Sequence, residues 1–192
     1  PFGHSDKDNV ELYKVGEKPH FNFEPLDHIE LGRKLGIIEF EKAATIAGSR
    51  SYYLIGAGAE LERAVHSLAL DLLRERGYAQ MTVPVLVRTS AMEGTGYLPG
   101  GADQAYYLEK DDLWLVGTSE VPLASFYTGE TLKQQDLPVK VCAWSSCFRR
   151  EAGAAGKDTK GLYRVHQFQK IEQVVICGPS IEESDKCHAE LL

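Results

Sequence analysis

Two strand-like runs, separated by a loop rich in glycine and lysine, occupy residues 147–177 and constrain the fold more than any other stretch. The first run ends at Glu151 and the second begins at Leu162, which is the pattern of a long β-hairpin. Successive side chains of a strand point to opposite faces, so Cys147, Arg149 and Glu151 should share one face. On the second run, the shared face should hold Arg164, His166, Phe168, Lys170 and Glu172.

The side chains on these two faces have the chemistry of a nucleotide site. Arginine binds phosphate, an aromatic ring stacks on a base, and a carboxylate accepts a hydrogen bond from an exocyclic amine. A solvent-exposed strand does not need an aromatic side chain flanked by arginines and a carboxylate. The hairpin therefore predicts one wall of a nucleotide-binding site.

Composition and charge limit the class of protein further. The 192 residues fit one domain, or one domain and a fragment, and 43% hydrophobic residues suffice for a packed core. The formal net charge of −7 argues against a broad nucleic-acid-binding surface, which is usually basic, but leaves room for a local basic patch on the hairpin. Cys142, Cys147, Cys177 and Cys187 show no paired metal-ligand spacing, so we expect reduced structural thiols.

The ends of the chain also carry information. Neither a signal peptide nor a long apolar run is visible, which predicts a cytoplasmic protein without a membrane segment. The first residue is Pro1 rather than methionine, and the last helical pattern stops abruptly at Leu192. We therefore expect the sequence to be cut at both ends.

Periodicity along the chain predicts an α+β fold, with a mostly antiparallel sheet flanked by helices. Residues 59–76 form the clearest helix, which carries one apolar stripe (Leu61, Val65, Leu68 and Leu72) and ends at Gly77. Other helices are predicted at residues 26–35, 38–47 and 121–131, and from Ser180 to the end. Strands are predicted at residues 51–55, 78–88, 105–108, 113–117, 139–151 and 162–177.

Two features allow two interpretations each. Pro84 places residues 78–88 at a sheet edge, which is either an ordinary edge strand or a self-association surface. Thr118 and Glu120 follow an apolar strand, and either face one pocket or cap the helix that begins near Pro122. Taken alone, the ordinary edge strand and the helix cap are the better-supported interpretations.

Specific motifs resemble those of the class II aminoacyl-tRNA synthetases. Residues 148–151 and 164–168, which read Phe-Arg-x-Glu and Arg-x-x-x-Phe on either side of a variable loop, resemble motif 2. Residues 77–84, after the long helix, resemble the less specific motif 1. The fuller resemblance is to the bacterial-type seryl-tRNA synthetase family and spans essentially the whole chain. It rests on residues 117–123, 147–153, 156–162, 164–168 and 170–173.

This resemblance implies a class II fold and a two-step reaction. Serine would attack the α-phosphate of ATP, with Mg²⁺ bridging the phosphates, to give seryl-adenylate and pyrophosphate. The seryl group would then pass to tRNA(Ser), the serine tRNA alone or together with tRNA(Sec). Motif 1 implies a homodimer in which residues 77–84 pack against their twofold mate.

The resemblance also implies residue roles. Arg149 and Arg164 would be catalytic: Arg149 would clamp the α-phosphate and the serine carboxylate, and Arg164 would approach the phosphates. Glu151 would bind the adenine amino group and Phe168 would stack on adenine. The whole ATP-binding set is Arg149, Arg150, Glu151, Val165, His166, Gln167 and Phe168. The serine-binding set is Thr118, Ser119, Glu120, Arg149 and Glu172. Lys157 and Lys160 would meet the tRNA acceptor end.

Two parts of the family pattern are missing from the sequence. Residues 1–25 would follow an absent N-terminal tRNA-binding arm, and residues 26–192 would form the N-terminal portion of the catalytic domain, with motifs 1 and 2 but without motif 3. The metal ligands would also lie outside this chain, so we expect the 192 residues alone to be inactive. Two alternatives stay open: a non-catalytic synthetase paralogue that serves as a binding module, and an armless ligase that loads an amino acid onto a carrier protein.

Overall fold

A computed structural model describes residues 3–153 and 160–191 of the chain. Three short 3₁₀ turns accompany the regular elements. The helices are α1 (His28–Leu35), α2 (Glu41–Ala47), α3 (Ala57–Glu75), α4 (Thr89–Gly94), α5 (Glu120–Ser125) and α6 (Ile181–Leu191). The strands are β1 (Ile38–Glu39), β2 (Tyr53–Leu54), β3 (Ala79–Met81), β4 (Leu86–Arg88), β5 (Tyr106–Leu108), β6 (Leu113–Leu115), β7 (Val139–Phe148) and β8 (Gln167–Ile176).

The strands form three sheets. The largest has the order β3-β7-β8, and its β7–β8 pair is antiparallel over ten residues, from Val139 opposite Ile176 to Phe148 opposite Gln167. Strand β3 runs parallel to β7, whereas the β4-β6-β5 sheet and the small β1–β2 pair are antiparallel. The predicted α+β fold with a mostly antiparallel sheet is therefore confirmed, and the long hairpin is its largest strand pair.

Helices cover both faces of the large sheet. On one face, Leu73 of α3 packs with Tyr78 and Cys142, and the His66 ring stacks on Trp144 with the ring centres 5.0 Å apart. On the other face, Leu123 of α5 packs with Val141 and Ala143 of β7. Side chains alternate faces along a strand, and directly paired residues of an antiparallel ladder share a face, so the face covered by α5 also carries alternate residues of both strands: Ser145, Cys147, Phe168, Lys170 and Glu172.

The apolar stripe of α3 points away from this core. Leu61, Val65, Leu68 and Leu72 are between 46% and 62% exposed, whereas Leu73 on the adjoining face of the helix is buried. The helix ends as predicted, because Gly77 takes a φ of +83° that residues with a side chain rarely adopt. An apolar row of this length is unusual on a free surface.

The boundaries of several predicted elements are wrong. The strand predicted at residues 78–88 is two strands, β3 and β4, in different sheets, with Pro84 between them. Residues 38–39 are a strand rather than the start of a helix, and the helix predicted at 121–131 ends at Ser125. A proline that cannot donate to a ladder permits the chain to change sheets at that point.

The hairpin is also shorter than predicted at its loop end. Strand β7 stops at Phe148 because the ladder is completed on one side only: the Arg149 N–H donates to the His166 carbonyl, but the His166 N–H donates to the Arg50 carbonyl at 3.2 Å instead of back to Arg149. Glu151 has a φ of +52°, which lies outside the strand region. Arg149, Glu151, Arg164 and His166 therefore lie beyond the strands, and alternation along a strand does not place them.

The N-terminal segment differs from the rest of the described chain. It contains no helix or strand between residues 9 and 27, and its exposed side chains include Phe21 and Phe23, whose ring centres are 5.2 Å apart. Helix α1 begins after Asp27, whose carboxylate accepts the Ile29 and Glu30 N–H groups. In the part of the chain that the structure describes, no helix is long and apolar enough to cross a membrane.

Candidate active site

The candidate site lies where the loop end of the β7–β8 hairpin meets the turn between β6 and α5. Two hydrogen bonds join these segments, one from the backbone and one from a side chain, and a third links the two sides of the hairpin. The Phe148 N–H donates to the Val116 carbonyl at 2.9 Å, and the Arg149 N–H donates to the His166 carbonyl at 3.0 Å. Arg149 Nε donates to the Gly117 carbonyl at 3.3 Å. The β6–α5 turn is thus fixed beside the end of the hairpin.

A polar cluster of Thr118, Lys170 and Glu172 lies on the face of β8 that α5 covers. The Thr118 hydroxyl donates to Glu172 Oε2 and accepts a hydrogen bond from Lys170 Nζ at 2.5 Å. Lys170 and Glu172 also form an ion pair. Thr118 is only 1% exposed, while the two charged side chains are partly exposed. A buried hydroxyl between a cation and an anion is held in one orientation.

Thr118 and Glu120 have different side-chain partners, and the N-cap residue of α5 is Ser119, which makes no side-chain cap bond. The Thr118 hydroxyl accepts the Glu120 N–H at 3.3 Å at the start of α5, and it also belongs to the polar cluster. The Glu120 carboxylate accepts a hydrogen bond from the Tyr97 hydroxyl at 3.3 Å. Desolvation, followed by the negative charge of Glu120, raises the pKa of Tyr97 to about 12.

Ser119 lies beneath the site rather than in it. Its side chain is fully buried, and its hydroxyl is 2.5 Å from that of Ser145 on β7. The Ser145 hydroxyl is also 3.8 Å from Cys147 Sγ, whose pKa is raised by burial. This row of small polar groups supports the β6–α5 turn from the sheet side.

Arg149 and Phe168 meet across the hairpin. The Arg149 guanidinium carbon lies 5.3 Å from the centre of the Phe168 ring, within the range of a cation–π contact. Phe168 pairs directly with Cys147, so it shares a face with Lys170 and Glu172, as alternation along the second run predicted.

Arg164 and Glu151 form an ion pair on the two sides of the loop. Arg164 Nη1 lies 3.1 Å from Glu151 Oε2, and the Glu151 side chain is 11% exposed. The Glu151 carbonyl accepts a hydrogen bond from Arg50 Nη1 at 3.2 Å, and the Ala152 carbonyl accepts one from Gln104 Nε2 at 2.8 Å. The turn after β7 is therefore held by side chains from distant segments.

Two cavities adjoin this ion pair. One, of about 540 Å³, is lined by residues of α4, the β6–α5 turn and the hairpin, including Tyr97, Gln104, Gly117, Arg149, Glu151 and Arg164. The second, of about 470 Å³, is lined by Arg149, Glu151, Leu162, Tyr163, Arg164, Val165 and Phe168. Arg149, Glu151 and Arg164 thus separate the two spaces, with Tyr97 on one side and Phe168 on the other.

Not all predicted site residues lie at these cavities. His166 and Gln167 line a third cavity of about 490 Å³, together with Arg50, Tyr52 and the same Phe168, and His166 Nδ1 lies 3.0 Å from the Arg149 carbonyl. Arg150 is exposed and lines none of the three cavities. Lys160 is exposed, and Lys157 lies outside the described residues. Within residues 3–153 and 160–191, no three His, Cys, Asp or Glu side chains are grouped so that they could hold a metal ion.

Several residues of this region were not assigned to the site from the sequence. Lys170 has the same alternation as Phe168 and Glu172, so its place on the shared face was predictable, but its bond to Thr118 was not. Tyr97 and Arg50 carry no local signal, because their partners lie 23 and 101 residues away in the chain.

Comparisons with known proteins agree with this architecture. The family model of the tRNA synthetase class II core domain (G, H, P, S and T) matches residues 106–191. A serine–tRNA ligase from Rhodococcus jostii is 50% identical over 192 residues, which are 100% of this chain and 45% of that protein. The chain spans about half the length of the curated relatives it matches.

Solved structures show the same fold. The seryl-tRNA synthetase from Pyrococcus horikoshii complexed with ATP is 42% identical, with a TM-score of 0.84 over 89% of this chain and 38% of that one. The cytoplasmic serine–tRNA ligase from Naegleria fowleri in complex with AMP is 34% identical, with a TM-score of 0.90 over 97% of this chain and 44% of that one. The relationship predicted from the motifs is confirmed: over its whole length, the chain is homologous to part of the serine–tRNA ligases and has the fold of the class II synthetases.

Proposed function

We propose that the natural protein carrying this chain activates L-serine with ATP and transfers the seryl group to tRNA(Ser). The observation that carries this proposal is the placement of the polar cluster and Phe168 on one face of the hairpin, next to Arg149. In this arrangement, the polar cluster would bind a small polar amino acid beside a nucleotide that lies on Phe168. Adenylate formation depends on positioning and charge neutralisation more than on a covalent nucleophile.

We assign the catalytic roles to two arginines. Arg149 lies at both cavities, so its guanidinium can reach a phosphate that bridges them and can neutralise charge that develops there. Arg164 lines the same two cavities from the opposite end of the loop and exchanges its partner Glu151 for a phosphate oxygen. Together they would bind the α-phosphate while the serine carboxylate attacks it and pyrophosphate leaves.

The adenine subsite in this proposal is the 470 Å³ cavity. Phe168 and Val165 line its apolar part, and the Glu151 carboxylate accepts the adenine amino group. Arg150, His166 and Gln167 complete the proposed ATP-binding set, but their places outside this cavity suit backbone support better than contact with the base. The related Pyrococcus horikoshii and Naegleria fowleri structures are complexes with ATP and AMP, which supports a nucleotide here.

The serine subsite is proposed at the polar cluster and its neighbour Glu120. Thr118 and Glu172 offer acceptors for an ammonium or a hydroxyl group, and Glu120 adds a carboxylate held by Tyr97. A site built to bond a substrate hydroxyl rejects an analogue that lacks it, because its own polar groups are then left unpaired. Ser119 contributes through its bond to Ser145, which fixes the turn.

We infer that Mg²⁺ enters the reaction with the phosphates of ATP. The described residues offer no cluster of carboxylates for it, so we assign it no ligand in this chain. The ion would neutralise charge at the phosphates, together with Arg149 and Arg164.

Residues 26–192 would be the N-terminal portion of a class II catalytic domain that follows the lead-in of residues 1–25. We expect the 192 residues by themselves to be inactive.

A homodimer is proposed through motif 1 and the helix before it. The apolar stripe of α3 is exposed along several turns, and strand β3, which follows Gly77, is an edge strand of the large sheet. Burial of such a stripe by a second copy would remove apolar surface from water on both copies.

Lys160, with Lys157, is proposed to meet the acceptor end of the tRNA. Recognition of tRNA(Sec) and a cytoplasmic location stay predictions.

The test of the proposed function is serine-dependent exchange between ATP and pyrophosphate, measured on the complete natural protein that carries this chain. Serine should support the exchange, whereas alanine, which lacks the hydroxyl, should support it on the order of 10⁴-fold less well. Transfer of labelled serine to tRNA(Ser) should follow. A protein that binds ATP but exchanges no pyrophosphate with serine would contradict the proposal.

A further inference from the structure

Arg50 lies between α2 and β2, far from the hairpin in sequence, yet it contacts both sides of the hairpin's loop end. Its Nη1 donates to the Glu151 carbonyl at 3.2 Å, across 101 residues of chain. Its own carbonyl accepts the His166 N–H at 3.2 Å. The His166 carbonyl in turn accepts the Arg149 N–H. Arg50 is therefore bonded to the hairpin on both sides of its loop, at Glu151 after β7 and at His166 before β8.

Both partners of this contact have a backbone conformation that is uncommon for residues with a side chain. The φ angles are +62° for Arg50 and +52° for Glu151. Such conformations persist where the surroundings hold them, and they concentrate at functional sites. At Glu151 the surroundings are the bond from Arg50 to its carbonyl and the ion pair of its carboxylate with Arg164.

The consequence is that the direction of the Glu151 side chain depends on Arg50. Glu151 has left the β7 ladder, so no strand neighbour fixes its peptide group. The backbone conformation of Glu151 sets the direction of its carboxylate. The Arg50 guanidinium bonds the carbonyl of the same residue and so helps to hold that conformation. Gln104 supports the next carbonyl, that of Ala152, but it does not contact Glu151 itself through a side-chain hydrogen bond.

We propose that Arg50 is a positioning residue for adenine recognition, which acts through the backbone of Glu151 and touches no substrate itself. The inference rests on the proposed function only in taking Glu151 as the group that reads the adenine amino group. It extends the nucleotide site from the hairpin to the segment between α2 and β2.

The test uses Arg50→Gly in the complete natural protein, because glycine accepts the positive φ and removes only the side chain. Loss of one charge-assisted hydrogen bond should raise the KM for ATP on the order of tenfold and leave the KM for serine within about twofold. The preference for ATP over purine riboside triphosphate, which lacks the amino group, should fall to about the level of Glu151→Gln. The double variant should add little to either single one, since both act on one contact.

The matched control is Arg33→Ala, which removes another arginine of the N-terminal region, one whose 3.7 Å ion pair with Glu41 lies at the surface. It should leave the nucleotide preference unchanged. Arg50→Lys, which keeps a cation, should change the KM for ATP in the same direction by a smaller factor, and it serves if Arg50→Gly does not fold. An unchanged preference in both Arg50 variants, or full additivity with Glu151→Gln, would overturn the proposal.

Failure of this inference is distinguishable from failure of the proposed function. Equilibrium binding of ATP and of purine riboside triphosphate is measured by calorimetry without serine. A wild-type protein that prefers ATP but shows no serine-dependent exchange contradicts the proposed function, and the Arg50 comparison still supports or overturns the positioning role. A wild-type protein that does not prefer ATP over the analogue overturns the role of Arg50.

Discussion

Arg149 holds its guanidinium carbon 5.3 Å from the centre of the Phe168 ring, and thereby joins the residue after β7 to the beginning of β8. The side chain is exposed and also bonds the Gly117 carbonyl. A cation that is held beside an aromatic ring and two cavities is well placed for a phosphate next to a stacked base.

We expect Arg149→Ala to abolish most adenylate formation and to leave the fold intact. Loss of a preorganised group that stabilises developing charge lowers the rate by about 10²–10³-fold. The free energy of unfolding should change by about 0.5 kcal/mol or less, because the side chain is exposed. Pyrophosphate exchange and thermal unfolding of the complete protein measure the two effects. Arg149→Lys keeps the charge but loses the planar guanidinium that can bond a phosphate with two N–H groups, so its exchange rate should be intermediate. Exchange near the wild-type rate in Arg149→Ala would refute the phosphate role.

Thr118 offers a test of the polar cluster. Thr118→Val preserves the shape of the side chain but leaves Lys170 and Glu172 without the buried hydroxyl. Loss of a hydrogen bond from a neutral hydroxyl to a charged group costs about 1.5–3 kcal/mol, so the KM for serine should rise about tenfold or more. Thr118→Ser, which retains the hydroxyl, is the control and should stay within about threefold of wild type. Equal values for the two variants would contradict a role for the hydroxyl.

The apolar stripe of α3 predicts the oligomeric state. Leu68→Glu should convert a dimer of the complete protein into a monomer, because a carboxylate cannot be buried in an apolar interface without a partner. Sedimentation at micromolar concentration measures the change. Ser67→Glu adds the same charge at an exposed position of the same helix outside the stripe, and it should leave the dimer unchanged. A wild-type protein that sediments as a monomer would argue against the proposed interface.

Tyr97 predicts a feature of the alkaline pH dependence. Its pKa is raised to about 12, chiefly by desolvation and then by Glu120, so the folded protein keeps the phenol protonated where the unfolded chain ionises it. The folded-state pKa lies above the unfolded one. The contribution of Tyr97 to stability is therefore fully present below pH of about 10 and is lost as the pH rises through about 12.

Tyrosinate absorbance after rapid pH jumps measures this ionisation, and the difference between wild type and Tyr97→Phe isolates the one residue. Glu120→Gln should lower the pKa of Tyr97 but leave it above 10, because desolvation is the larger cause. A midpoint near 10 in the wild-type protein would show that Tyr97 is not desolvated as the structure has it.

The hairpin shows where sequence reasoning succeeds and where it stops. Alternation of side chains correctly placed Phe168, Lys170 and Glu172 on one face, since a strand of ten residues keeps its period. The same reasoning does not extend to Arg164 and His166, which precede β8. They reach the site through loop contacts with Glu151 and Arg149, and a loop has no period from which to predict the direction of a side chain.

The same distinction explains the errors in the elements. Helix α3 was predicted well because its apolar stripe repeats over about three turns, but the pattern alone did not reveal that the stripe faces outward. Residues 78–88 have the composition of one strand, and the division into β3 and β4 is decided by two sheets that form from distant segments. Local composition cannot contain that information.

The sequence by itself determined the local elements and, through the motifs around Arg149 and Phe168, the family relationship, because both depend on residues close together in the chain. Tertiary structure alone decided which distant groups meet. Thr118 bonds Lys170 and Glu172 more than 50 residues away, and Arg50 reaches Glu151 across 101 residues. Such contacts arise when the hairpin, α5 and the N-terminal segments pack against each other, and the free energy that selects them comes from the whole fold rather than from any one stretch.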